Sequence, residues 1–197
     1  NANMISTGAP LTINAGAIPV TIVVEEDSQL ITTDDITSAS AISSTGTGML
    51  TITSKNNEKL EAIAEENVAI NAAGGLTLKD ANVAALGGTV GGNTSVDYAG
   101  SIRTGLAGAL ADFTVDNSTL YITVRTTGFL YYTDNWNIIN GSDVTALTIA
   151  HSEKTPGVAM ISVNGDVLIS GSAVKFHSFT GAAQRDGDKL FAKAPIL

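Results

Sequence analysis

The sequence predicts a mainly β fold: an antiparallel β-sandwich or barrel-like domain with one or two short helices, and a β-solenoid as the alternative. Three observations carry that expectation. Apolar and polar residues alternate with period two through most of the chain, as they do on half-buried strands. The alternating runs are short and are separated by turns rich in Gly, Asn, Asp and Pro. Helical spacing of apolar residues occurs in two stretches only.

The elements follow in order. In LTINAGAIPVTIVVEE (11–26), Val20, Ile22 and Val24 share one face, and Pro19 confines the run to a strand start or an edge. The same alternation recurs in MLTIT (49–53), GLTLKDANV (75–83), TLYITVRT (119–126), DVTALTIAH (143–151), VAMISV (158–163) and DVLIS (166–170). Asn164-Gly165, between the last two, is the strongest hairpin signal and predicts a type I′ turn. Asp116-Asn117 predicts a second turn, because both side chains tolerate the left-handed conformation.

One helix is expected over 56–68, with Leu60, Ile63 and Ala64 on its apolar face. The other is expected over 97–113, with Ile102, Leu106, Ala109 and Leu110 as its stripe. Gly100, Gly105 and Gly108 each weaken that second helix by about 1 kcal/mol relative to alanine, so packing must hold it. Laid against the strands that follow, it would bury Leu106, Leu110, Phe113, Leu120 and Ile122 in one cluster.

The expected organisation is an extended N-terminal arm (1–24) and a β-rich assembly domain (25–197). The Gly-rich stretch at 86–95 would divide that domain into two lobes. A solenoid trace is present as well. GGLTLKDANV (74–83) and GDVLISGSAV (165–174) share a Gly start, a short strand and a final Val, but no steady repeat of about 20–30 residues accompanies them.

Hydrophobic residues make up 44% of the 197 residues, enough for a real core. Charged residues are only 15%, so the polar surface is mostly Thr, Ser, Asn and Gly, which costs little to desolvate at contacts between copies. A net charge of −9 speaks against nucleic acid and anionic membrane surfaces as partners. The absence of cysteine excludes disulfides, thiolate metal sites and cysteine nucleophiles. No apolar run approaches the roughly 18 residues of a membrane span, so no membrane insertion is expected. The first ten residues lack the basic and apolar regions of a secretory signal.

The segment SIRTGLAGALADFTVDNSTLYITVRTTG (101–128) resembles phage tail and other virion structural proteins, in which a small-residue helix leads into a strand, a polar turn and a second, Thr-rich strand. After it, FLYYTDNW replaces the short Gly-Asn turn of that pattern. LEAIAEENVAINAAGGLTL (60–78) resembles helix–strand units of flagellin-like and adhesin proteins. Both resemblances imply assembly at a virion or an extracellular surface, and neither transfers a functional residue.

Candidate chemistry is sparse. The histidines, His151 and His177, lack a nucleophile elbow or a second histidine at zinc spacing, and they read as ordinary strand or loop residues. Asp186 and Asp188 flank Gly187, but no further ligands or closing Glu complete a calcium loop. Asp134 and Asp143 are a carboxylate pair of unspecified separation. Sequons at Asn93, Asn117 and Asn140 arise readily in a chain rich in Asn, Ser and Thr.

The sharpest local anomaly is the aromatic run at 129–137. There Phe129, Tyr131, Tyr132 and the sole tryptophan, Trp136, form either a core strand with an interface edge or a partner-binding face. No catalytic, cofactor or metal site is expected. The expected function is that of a non-enzymatic structural subunit of a virion, most readily a phage, or of another extracellular or cell-surface assembly. Its partners would be copies of itself, and beyond them other virion or surface proteins or glycans. The alternative is a secreted adhesin or carbohydrate-binding module using the 129–136 patch.

Overall fold

The computed structural model describes residues 2–33, 39–65, 67–87, 100–124, 128–149 and 161–179. Their strands are wound into successive coils. The first coil is β1 (Asn3–Ser6), β2 (Leu11–Ile13) and β3 (Val20–Val24). The second is β4 (Ser28–Thr32), β5 (Ile42–Ser44) and β6 (Leu50–Ser54), and the third is β7 (Lys59–Ala64), β8 (Ile70–Ala72) and β9 (Leu76–Lys79). The fourth holds β10 (Asn82–Gly87), β11 (Gly100–Leu106) and β12 (Ala109–Asp116). The fifth has β13 (Thr119–Val124) and one long strand, β14 (Gly128–Ile139). The sixth has β15 (Asp143–Ile149), β16 (Ile161–Val163) and β17 (Val167–Ile169), and β18 (Ala173–Phe179) opens a seventh.

Each strand pairs with its counterpart one coil away. The first strand of every coil joins a seven-stranded parallel sheet in the order β1-β4-β7-β10-β13-β15-β18. The remaining strands form a second, curled sheet, because β14 is long enough to pair with both β11 and β12. The fold is therefore mainly β, as expected, but an antiparallel sandwich is not what forms. Every pairing is parallel except a short antiparallel contact between β11 and β12. The physical reason lies in the turns: they carry the chain round a corner from one sheet to the other instead of reversing it.

Along the first sheet, Asn3, Gln29, Glu61, Ala84, Tyr121, Thr145 and Lys175 stand in one row. The corner from the curled sheet back to the first sheet is short in every coil, and from the third coil on it uses left-handed residues in register. Asp80, Asn117, Asn140 and Gly171 stack there with φ of 49°, 46°, 57° and 60°. The expected turn at Asn117 is thus present, as a corner. The opposite corner, leaving the first sheet, varies in length: four, nine, five, twelve, three and eleven residues separate its flanking strands in successive coils.

Both expected helices are strands. In β7, Leu60, Ala62 and Ala64 are buried while Lys59, Glu61 and Ile63 are half-exposed, a period of two with no helical stripe. Residues 100–116 form β11 and β12, joined at Ala107-Gly108. Gly108 has φ of 81°, the left-handed second position that a type II turn requires. Opposite this unit β14 runs straight on: Arg103 faces Tyr131 and Ala111 faces Thr133, so the hairpin at residues 105–110 loops out of the wall. Leu106 and Leu110 consequently lie exposed at the loop's tip, while Phe113, Leu120 and Ile122 are buried. The expected five-residue cluster is halved.

Asn164-Gly165 makes no type I′ hairpin. β16 and β17 both run parallel to β14, and neither residue has positive φ. Gly165 is small for another reason: a Cβ there would stand 2.3 Å from Asn135 Oδ1. The segment read as an arm, residues 1–24, lies over its described part within the stack as the first coil, paired in register with β4, β5 and β6. The stretch expected to divide two lobes, 86–95, lies mostly outside the described residues.

The core is a set of columns running through the coils. Val20, Leu50, Leu76, Phe113, Trp136 and Val167 form one, and Ile22, Ile52, Leu78, Val115, Ile138 and Ile169 form its neighbour. Leu11, Ile42, Ile70 and Ile102 line the adjoining wall, and Leu30, Ala62, Ala85, Ile122 and Ala146 face them from the first sheet. Each fully buried Leu or Ile contributes about 1.5–3 kcal/mol of transfer free energy. Large residues on the curled sheet oppose a row on the first sheet in which Ala62, Ala85 and Ala146 are small.

Candidate functional site

The aromatic run lies on β14. Trp136 is completely buried, its ring parallel to that of Phe113 at 6.1 Å and tilted against Phe176 at 5.8 Å. It therefore belongs to a core column and to no surface patch. Among the described residues its buried Nε1 has no hydrogen-bond acceptor. Phe129, Tyr131 and Tyr132 share the same strand, and their side chains lie outside the described set.

His177 is exposed on β18. His151, Asp186, Asp188 and Asn93 lie outside the described residues. Asp134 lies on β14 and Asp143 opens β15, on different sheets. Among the described residues, no three His, Asp or Glu side chains converge as metal ligands.

What the sequence did not single out is the end of the stack formed by the first coil. There β1, β2 and β3 each pair on one side only, leaving three parallel edges among the described residues. A recess of about 330 Å³ opens at this end, lined by Met4, Leu11, Ile22, Leu30 and Leu60, with Glu25 and Glu26 on its rim. It is the open mouth of the core columns.

Beside it lies a polar recess of about 350 Å³, lined by Asn3, Asp27, Ser28, Gln29, Lys59 and Glu61. Its groups are tied to one another. Gln29 Nε2 donates to Glu61 Oε2 at 2.8 Å, Lys59 Nζ pairs with Glu61 Oε1, and the Lys59 N–H donates to Asp27 Oδ1 at 2.8 Å. The Lys59 ammonium, helped by Gln29, holds the Glu61 carboxyl below the ordinary carboxylate range. The hydrogen bond between Glu58 and Asp27 pushes the Glu58 carboxyl above it.

At the far end, among the described residues, β18 is the last strand of the first sheet, and β16 and β17, one coil earlier, pair only with β14. Val167, Leu168 and Ile169 are exposed there. Across the described residues, seven of the ten exposed large hydrophobic side chains belong to the first coil or to β17. Compared with protein-family models, with curated proteins and with solved structures, the chain matches none.

Proposed function

We propose that this chain is a non-enzymatic structural subunit of an extracellular or virion assembly, a phage particle foremost, and that it associates with copies of itself through strand edges. The observation that carries the reading is the set of parallel edges that have no neighbour among the described residues, at β1, β2 and β3 and at β16, β17 and β18, with exposed apolar residues beside them. Such edges template further strands unless charge or covering segments block them. The low charge content and the Thr- and Asn-rich outer faces support the same reading, since little must be desolvated at a contact. The resemblance of residues 101–128 to virion structural proteins supports the setting.

The carbohydrate-module alternative loses its strongest residue, because Trp136 is inside the core. Light scattering of the purified chain from micromolar to millimolar concentration tests the proposal, together with negative-stain images. Concentration-dependent growth into discrete or linear assemblies is expected, and a monomer throughout would overturn it.

A further inference from the structure

We infer that two copies pack face to face through the outer side of the first sheet, related by a two-fold axis parallel to the strands. This rests on the self-association reading and adds a lateral, closed contact to it. On the curled sheet the outward positions are polar: Thr21, Thr51, Thr77, Thr114 and Asn137 stand in one row. A solvated strand face carries such residues opposite its apolar inner face. The first sheet departs from that rule. Ile31, Ile63, Leu86, Thr123 and Leu147 form an outward row across five successive strands, each half-exposed, and Tyr121 in the row beside them is 39% exposed. A contiguous apolar stripe flanked by polar rows marks a contact face.

Charge selects a second copy as the occupant. The outward positions of β4, β7, β10, β13, β15 and β18 hold Lys59, Glu61, Asp143 and Lys175, which sum to zero in a chain of net charge −9. Two copies therefore meet on this face without the repulsion that their overall charge imposes.

Orientation follows from the rows. Rotation about the stack axis, with the faces fully overlapped, would set the Ile63 row against the row of Lys59 and Asp143. Rotation about an axis parallel to the strands keeps each row on its own counterpart, so stripe meets stripe. With that axis between β10 and β13, β7 of one copy lies over β15 of the other. Ile63 then meets Leu147 and Lys59 meets Asp143, each pair occurring twice by symmetry. Strands about 4.8 Å apart make the face about 30 Å wide, and about 900 Å² is buried over both copies, the size of a weak contact.

The test is a charge swap. Within one molecule Lys59 and Asp143 are three strands apart, about 14 Å, so rescue between them must come from a second copy. In sedimentation velocity, Asp143→Lys and Lys59→Asp should each dimerise about tenfold or more weakly than wild type, and the double variant should regain the wild-type constant. Circular dichroism checks that each variant folds. Lys59→Gln replaces Lys59→Asp if it does not, because removing that charge relieves the repulsion met by Asp143→Lys. Ile63→Thr combined with Leu147→Thr gives the stripe the composition of the curled sheet's outer face, and it should lose dimerisation while staying folded. Unfolding of that variant would show the row to be buried within its own chain and would overturn the face. A charge-swapped double variant as weak as the single ones would overturn this packing. Wild-type association in every variant would also overturn it, while leaving self-association through strand edges standing. A monomeric wild type would overturn both readings.

Discussion

The backbone N–H of Ser118 donates to the hydroxyl of Ser142, 3.2 Å away in the next coil, and both residues are buried. The contact is one rung of a ladder. Ser118 Oγ accepts from the Ala81 N–H at 2.9 Å and donates to the Asp116 carbonyl at 2.7 Å. Ser142 Oγ donates to the Ile139 carbonyl at 2.7 Å, and Ser172 Oγ accepts from the Ser142 N–H at 3.2 Å. Outside the serines, Asn117 donates to Asp80 and Asn140 to Asp116. A corner cannot satisfy its backbone by ladder bonds alone, so short polar side chains complete it.

Ser142→Ala removes the acceptor for a buried N–H without changing the corner's shape. Leaving that donor unpaired costs about 1–3 kcal/mol. Urea denaturation should therefore show a lower midpoint with an unchanged slope. A loss under about 0.5 kcal/mol would mean that the Ser118 amide is satisfied otherwise.

At the corner within the curled sheet the requirement is space. A Cβ on Gly74 would stand 2.4 Å from the carbonyl oxygens of Gly48 and Thr47, both backbone atoms that cannot swing aside. Gly74→Ala should cost at least about 1–3 kcal/mol, as overpacked sites do. Gly8→Ala meets nothing within 4 Å and has no positive φ, so it should be neutral or stabilise by up to about 1 kcal/mol. Thermal melts that ranked the two the other way would refute this account of the corner.

The alternation of strands was legible because half-buried strands impose it whichever way they pair. Parallel pairing was not legible, since Leu50-Thr51-Ile52 reads alike in a sandwich and in a coil. The coil repeat was masked by the connection leaving the first sheet, which swings between three and twelve residues while the corner at Asp80, Asn117, Asn140 and Gly171 stays fixed. Aligning on Asp, Asn or Gly followed closely by Ser or Ala would have exposed the register. The KLEAIA helix reading failed because Ile63, assigned to the apolar face, is half-exposed, while Ala62, small enough to look neutral, is an inward residue. The candidate site was invisible for a different reason: an end of a stack is defined by which strands lack a neighbour, and no local pattern records that.

Leu76 and Leu110 test the boundary between core and looped-out tip. Leu76 is fully buried in a column between Leu50 and Phe113, whereas Leu110 is 39% exposed beside Leu106. Leu76→Ala should cost about 2–5 kcal/mol through lost contacts and the cavity left behind. Leu110→Ala should cost less than about 1 kcal/mol, because little is buried there to lose. Equal losses at the two positions would show that residues 105–110 pack against the body.

The carboxylates at the first coil give the molecule a readable pH dependence. Glu61 is held below the ordinary range by Lys59 first and by Gln29, so its folded pKa is depressed. Its contribution to stability is complete above the unfolded carboxylate range and is lost as pH falls through the depressed folded value. Glu58 behaves oppositely. Its hydrogen bond to Asp27 raises the folded pKa, so its contribution is complete below the unfolded range and is lost as pH rises through the raised value. Glu61→Gln should therefore melt below wild type near neutral pH, with the gap closing in acid. Glu58→Gln should melt above wild type near neutral pH, and that advantage should vanish as the medium is acidified. Both groups face solvent, so molar salt should shrink both differences. Melting curves at stepped pH decide it: a gap for Glu61→Gln that stays constant from neutral to acid pH would mean that Lys59 and Gln29 do not stabilise its ionised form.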